Sequence, residues 1–426
     1  MTNAMPLEIV AGPGKPTHPD QTTRQKEVDE VVALLSMDKN GAPHGTPQNL
    51  EVILTRDPWF RSRLRWNQFS EVIEWEGERI VDEHITFIRL AIGRTYRRTW
   101  GAPATLELVA YVARKLAYHP VKSYLKRLVW DGVPRLDMLL PKYVGAEDTP
   151  LHRVMGRRFM IASIARIMKP PCKVDTVLTL FGGQGAGKST FFRVLCGDSW
   201  FRDTPFDIRN KDSYQLMRGA WLYEVAEMAS IRQRDVETVK AFFAAEVDHF
   251  RPPYGKVVRE SVRQCVFVST TNEPSFLKDP TGARRFWPVK VGTIDLPALK
   301  ADRDALWAEA LAAFVAGEAW WLTREEDDEL AVAQEPYQHE DPWEDPIREW
   351  MTQTPQDIRN NGVRVSSLLR DALDIEKGKL SKYDEMRIAA LLTAKGWRKD
   401  RVRVEGNRKK EVRWFPPAEE KADNTE

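Results

Sequence analysis

The stretch that most constrains this chain is Asp175 to Val194, DTVLTLFGGQGAGKSTFFRV. An apolar run, Val177 to Phe181, has the length and composition of a strand, and Thr190 to Cys196 reads as helix. Between them Gly182-Gly183-Gln184-Gly185-Ala186-Gly187-Lys188-Ser189 fits the pattern G-x-x-x-x-G-K-[ST]. Closely spaced backbone N–H groups, unobstructed at the glycines, wrap a polyphosphate at a helix N-terminus. Gly182, Gly183, Gln184, Gly185, Ala186, Gly187, Lys188, Ser189 and Thr190 are therefore the candidate nucleotide-binding residues. Lys188 is expected to reach the β- and γ-phosphates and Ser189 to ligate Mg²⁺, so ATP and Mg²⁺ are the expected cofactors.

The chain has 426 residues, 42% of them hydrophobic and 30% charged, enough to bury substantial cores in more than one domain. No run of 18 apolar residues occurs, and the N-terminus lacks the basic-then-apolar profile of a signal peptide. A cytoplasmic protein without a membrane partner is expected. Cys172, Cys196 and Cys265 stand far apart with no CxxC, which argues against a disulfide framework or a zinc site. A net charge of +2 predicts no nucleic-acid binding by itself, so any such binding must come from local patches.

Residues 1–25, rich in Pro, Gly, Thr and Gln, are expected to be a disordered tail, and 26–150 a separate, mainly helical domain with apolar positions three and four apart in Glu27 to Leu35 and Leu106 to Leu116. Arg114, Lys115, Lys122, Lys126 and Arg127 surround Tyr118-His119-Pro120, where a solvated helix face and DNA contact are both open and His119 is expected to be structural. The nucleotide-binding core is placed at 151–325, beginning with a helix from Leu151 to Met168.

Within the core, the apolar strand Ala220 to Glu224 ends on a carboxylate and Glu227 follows one turn later. A phosphate-loop ATPase needs an acid to hold the Mg²⁺ shell and a group to orient the attacking water. Glu224 and Glu227 are the candidates, their roles open and Glu224 the expected metal-shell member. Asp235 to Phe250 has apolar residues at helical spacing. Arg251 to Arg259 reads as a hairpin with Tyr254 and Lys256 near its tip, candidates for gripping DNA. Cys265 to Thr270 is a buried-strand run leading to Asn272, the candidate sensor of γ-phosphate and water. Arg284 and Arg285, between a glycine turn and an aromatic strand, suit phosphate charge that grows during transfer, with Arg285 preferred.

From Leu296 to Leu322 two Ala/Trp-rich helices are expected, and 326–346, with its acids and prolines, looks like a linker. The stretch 347–416 then runs helix, short strand, two helices and a hairpin turned at Gly406-Asn407, the order of a winged helix, before a tail at 417–426. Gly396 to Arg413 holds eight Lys/Arg against three acids. Arg408, Lys409 and Lys410 are the candidate DNA contacts there, protein docking being the alternative use of such a domain.

Together, Gly182 to Ser189, Trp221 to Glu227, Phe250 to Lys256, Val266 to Asn272 and Gly282 to Pro288 resemble the virulence-associated E family of phages and genomic islands, which is similar to superfamily 3 and poxvirus-type primase-helicases. The resemblance covers about Tyr118 to Lys290, including YHPVKSYL, LVWDGVPRLD, RPPYGK and TGARRFWPV. It implies an α/β P-loop AAA+ core that assembles as a ring, a hexamer, and moves on single-stranded and forked DNA during replication. By position it makes Lys188 and Ser189 the Walker A pair, Glu224 and Glu227 the Walker B acids, Asn272 the sensor and Arg284 or Arg285 the finger. The two acids are separated by two residues, unlike the adjacent Asp-Glu common in AAA+ proteins. No zinc ribbon or acidic primase motif precedes the core, so a separate primase or replication initiator is an expected partner. A DNA-stimulated helicase is the leading expectation, and a nucleotide-switched initiator or loader scaffold the alternative.

Overall fold

The computed structural model describes residues 21–205, 211–225, 241–250, 259–273, 283–337, 343–375, 381–402 and 411–416. The described residues form two compact units, one from 21–273 with 284–334 and one from 335 onward with Ala283.

The first unit opens with a lobe that has its own core. Helices Gln21–Val32, Pro47–Arg56, Asp82–Tyr96 and Ala102–Lys115 surround four short strands, β1 (Leu64–Asn67), β2 (Val72–Trp75), β3 (Glu78–Arg79) and β4 (Ala117–Tyr118), in the order β3-β2-β1-β4. Helix Pro47–Arg56 starts where the Thr46 hydroxyl accepts from the Asn49 N–H and proline takes the first turn, and it buries Leu50, Ile53 and Leu54 along one stripe. The sheet was not expected, because its strands of two to four residues are too short for a period-2 pattern to stand out.

Residues 121–146, assigned by sequence to this lobe, instead join the core of the parallel sheet that carries the glycine loop. Val121, Leu125, Leu136, Leu140, Tyr143 and Val144 are buried with Phe159, Leu178 and Phe191. The change of core falls near His119, whose Nδ1 accepts from the Lys122 N–H and so caps helix Pro120–Leu125.

That second core is built on β5 (Val177–Phe181), β6 (Phe201–Arg202), β7 (Leu222–Glu224), β10 (Val266–Thr271) and β11 (Phe286–Lys290), all parallel in the order β11-β5-β10-β7-β6. A separate antiparallel pair, β8 (Val247–Phe250) and β9 (Arg259–Val262), forms the two legs of the expected hairpin, whose tip with Tyr254 and Lys256 lies outside the described residues. The sheet is buried on both faces. Leu178, Leu180, Val266, Val268, Trp287 and Val289 pack in one cluster with helices Pro150–Met168, Lys188–Cys196 and Leu296–Val315, while Val177, Tyr223, Phe267 and Phe286 meet Phe242 and Phe243 in another. This two-sided burial is why the strands read as unbroken apolar runs.

Three expectations need correction. Val247–Phe250 is strand and does not continue a helix; Asp248 there is held by the Arg263 guanidinium, a long-range pairing invisible to local periodicity. Leu296–Val315 is one helix of 20 residues, not two. Arg324–Gln334, part of the expected linker, is a helix docked on the first unit: Leu330 is buried and Gln334 Nε2 donates to the Phe286 carbonyl at 2.6 Å.

In the second unit, helices Glu344–Gln353, Gln356–Asn360 and Lys382–Ala394 precede β12 (Arg398–Val402) and β13 (Glu411–Phe415), an antiparallel hairpin. Ile347, Leu368, Leu369, Ile388 and Trp414 form its core. Ser381 and Asp384 close a capping box at the head of the third helix. Where a short strand is expected at 363–365, Val363 alone bridges to Trp414 and a helical turn, Val365–Ser367, follows. Among the described residues no helix is long and apolar enough to cross a membrane.

His119 offers a check on how the lobe and core are joined. Its Nε2 meets Gln264 Oε1 at 2.7 Å while Nδ1 accepts a backbone N–H, which fixes the neutral tautomer with the proton on Nε2, and burial lowers its pKa. The unfolded chain therefore takes up a proton at a pH where the folded chain does not, and stability falls as pH drops below about 6.5. The melting temperature of the native chain should decline toward pH 5 more steeply than that of His119→Gln, and parallel curves would refute this role.

Candidate functional site

The glycine loop sits where β5 ends, at the carboxyl edge of the parallel sheet, the edge at which open α/β sheets bind ligands. Gly187 caps helix Lys188–Cys196 at φ 87°, a left-handed conformation that glycine adopts without strain, and provides no side chain to occupy the first helical N–H groups. Those N–H groups, at Lys188, Ser189 and Thr190, are the donors a phosphate would find. Gly182 is needed for another reason: a Cβ there would stand 2.5 Å from Val291 Cγ2. Gly183, Gln184, Gly185 and Ala186 complete the turn, with the Ala186 N–H directed at the Gly183 carbonyl.

Lys188 folds back over the loop. Its Nζ donates to the carbonyls of Gly182 and Gly183 and to Asn272 Oδ1, each at 2.8 Å. Burial holds its ammonium below the ordinary pKa, with the Glu224 carboxylate acting in the opposite sense. The contact with Asn272 exists because β10 pairs with β5 through Thr271↔Phe181, which delivers the next residue to the mouth of the loop.

Glu224, the last residue of β7, is 3% exposed. Its Oε1 accepts from the hydroxyls of Ser189 at 2.8 Å and Thr270 at 2.5 Å. Its Oε2 is buried and has no hydrogen-bond partner among the described residues, which is unusual for a carboxylate. A hydroxyl and a carboxylate are hard oxygen donors of the kind Mg²⁺ takes, usually one or two from protein with water and phosphate completing the shell. The donor set therefore fits the ion. Sequence reasoning missed Thr270; the signal was three hydroxyl residues, Ser269, Thr270 and Thr271, closing an otherwise apolar strand.

The arginines lie at the other end of the sheet. Phe286 pairs with Val177 and Lys290 with Phe181, so Arg284 and Arg285 precede the strands while the loop follows them, about 20 Å away at strand rise. Arg285 Nε lies 3.7 Å from Asp175 Oδ2, and both side chains are mostly covered. Arg284 is exposed, with Asp327 near enough to feel its charge. Glu227, Tyr254, Lys256, Arg408, Lys409 and Lys410 lie outside the described residues.

The model of the virulence-associated protein E-like domain matches residues 125–339, just over half of the chain. The chain belongs to this family. The match spans the loop, Glu224, Asn272, both arginines and the docked helix Arg324–Gln334, and it begins close to where the structure changes core. No curated protein matches the chain in sequence. Among solved structures it is similar to the apo C-terminal region of NrS-1, at 11% identity over 87% of this chain and 98% of that one with a TM-score of 0.44. A second, A-form structure of that region is 12% identical over 68% and 78%, with a TM-score of 0.40. A point mutant of RuvB from Thermotoga maritima is 12% identical over 58% and 89%, with a TM-score of 0.22.

The close approach at Gly182 yields a test of the loop. Overpacking there should cost about 1–3 kcal/mol, and if the strain falls on the loop, nucleotide affinity should drop by roughly 5- to 100-fold in Gly182→Ala. Adding Val291→Ala should restore most of it in a fluorescent-nucleotide titration, and no loss in the single variant would show that the strain is not borne by the loop.

Proposed function

We propose that this protein is an ATP-driven DNA helicase or translocase in the replication of a phage or mobile element, hydrolysing ATP between subunits of a hexameric ring. One observation carries the reading. At one edge of the sheet Lys188 donates to Asn272 and Ser189 to Glu224, and Arg284 and Arg285 stand at the opposite edge. Neither Arg284 nor Arg285 spans that length, so in this reading either one meets a nucleotide only on a neighbouring copy.

In this reading Lys188 leaves the loop carbonyls for the β- and γ-phosphates, and Ser189 and Glu224 hold Mg²⁺, which when bound neutralises phosphate charge. Asn272, released from Lys188, contacts the γ-phosphate and the attacking water, and Glu227 orients that water. Arg284 replaces Arg285 as the preferred finger, because it is exposed while Arg285 faces Asp175 within its own subunit. The hairpin on β8 and β9 carries Tyr254 and Lys256 to single-stranded DNA by stacking and phosphate contact.

The second unit is read as a winged helix that binds DNA. Its helices precede a hairpin, the Val363–Trp414 bridge stands in the place of a third strand, and Arg398, Lys399 and Arg401 are exposed on β12 beside Arg408, Lys409 and Lys410 in sequence. The rival reading, a nucleotide-switched initiator or loader, shares the binding site and differs in not unwinding DNA.

ATP hydrolysis and fork unwinding, each with and without single-stranded DNA, test the proposal. DNA-stimulated hydrolysis with strand displacement is expected, both abolished by Lys188→Ala; hydrolysis without displacement would favour the loader.

The shared site makes a sharper prediction. Arg284→Ala should lower turnover by roughly 10³- to 10⁵-fold. Arg285→Ala should chiefly cost stability, between the roughly 1 kcal/mol of an exposed pair and 3 kcal/mol of a buried one. Mixing Arg284→Ala with Lys188→Ala subunits should restore part of the ATPase activity, since some interfaces then hold both an intact loop and an intact arginine. Mixed rings that form and stay inactive would refute the trans arrangement.

A further inference from the structure

The last pair between β7 and β10 is Glu224 with Val268, and β10 then runs on to Thr271. Thr270, two residues past Val268 and so on the same face of the strand, overhangs the carboxylate that ends β7. Its hydroxyl donates to Glu224 Oε1 at 2.5 Å, the same oxygen that accepts from Ser189. Two donors from two different elements thus converge on one oxygen, and the other, Oε2, is buried without a hydrogen-bond partner among the described residues.

We propose that Thr270 is a positioning residue that holds Glu224 in place for the Mg²⁺ shell. The inference rests on the nucleotide-binding reading of the loop given above. Ser189 alone is not a lasting anchor for the carboxylate, because its hydroxyl oxygen is itself the expected ligand of the ion and its hydrogen bond must adapt when the ion arrives. Thr270 reaches Glu224 from β10, the strand between β7 and β5, and its bond does not depend on how Ser189 turns. With Oε1 tied in this way, Oε2 is the oxygen left to meet a metal-bound water. Groups that orient the ligands of a metal without touching it typically contribute 10- to 100-fold to its affinity.

The test uses the full chain, with Mn²⁺ as a spectroscopic stand-in for Mg²⁺ and ADP as the nucleotide. Mn²⁺ affinity is measured by electron paramagnetic resonance in saturating ADP, and metal-free binding of a fluorescent ADP is measured in EDTA. Thr270→Val should weaken Mn²⁺ by about 10- to 100-fold and leave metal-free ADP binding unchanged, while Thr270→Ser should return Mn²⁺ affinity close to that of the native chain. In a Glu224→Gln background, Thr270→Val should cause little further loss, because both act through one carboxylate.

Unchanged Mn²⁺ affinity in Thr270→Val, an equal loss in Thr270→Ser, or a parallel loss of metal-free ADP would overturn the assignment. Circular dichroism establishes that each variant is folded, and Thr270→Ala replaces the valine variant if that one is not. A native chain that binds neither fluorescent ADP nor Mn²⁺·ADP would sink the loop reading along with this one. Normal binding by the native chain and an unaltered valine variant would sink only the role of Thr270.

Discussion

The site depends on one piece of geometry: β10 lies between β5 and β7 and outruns β7. Parallel pairing puts the ends of all three strands at one edge, and the overhang lets Thr270 reach the acid on one side and Asn272 reach the lysine on the other. Lys188 and Glu224 are both buried, 7% and 3% exposed, and an unpaired charge at such depth is costly. Hydrogen bonds from neighbouring elements offset much of that cost. A buried acid and a buried cation are thereby kept within one small cluster.

That overhang is held by the packing beneath it. Trp221, just before β7, stacks on Trp307 of helix Leu296–Val315 with ring centroids 4.0 Å apart, and such pairs add about 0.5–1.5 kcal/mol beyond the area they bury. Neither indole is left unsatisfied. Trp221 Nε1 donates to the Ser163 carbonyl and Trp307 Nε1 to that of Leu195, near the end of the helix that begins at Lys188. The acid strand, the loop helix and the closing helix are fixed to one another by these contacts.

The N-terminal lobe is tied to the same framework through polar contacts. Glu71, in the turn after β1, accepts from the Ser261 hydroxyl of β9 at 2.7 Å and pairs with Arg218 at 3.0 Å, while the Gly219 N–H donates to the Phe69 carbonyl. With His119 against Gln264, the lobe touches the hairpin root and the approach to β7 together. No motif in the sequence announces these contacts.

Much of the site was legible because its chemistry is local. The glycine spacing, the lysine and the serine occupy consecutive positions, and only certain residues fit such a turn, so Gly182 to Ser189 carried their meaning without a fold. The apolar runs before Glu224 and Asn272 were long enough to declare strands that end in polar groups. The sequence left open what depends on which strands become neighbours. Register placed Thr270 over Glu224 and separated the arginines from their own loop by the length of β11, and packing set Arg285 beside Asp175 while leaving Arg284 exposed. Tertiary contacts likewise made Arg324–Gln334 a docked helix and Val247–Phe250 a strand, since Leu330, Gln334 and Asp248 find their partners far along the chain. The sequence by itself determined the glycine loop between strand and helix, because consecutive residues shape it; only the tertiary structure decided what surrounds the loop, because hydrogen-bond partners across a parallel sheet are set by strand order and register.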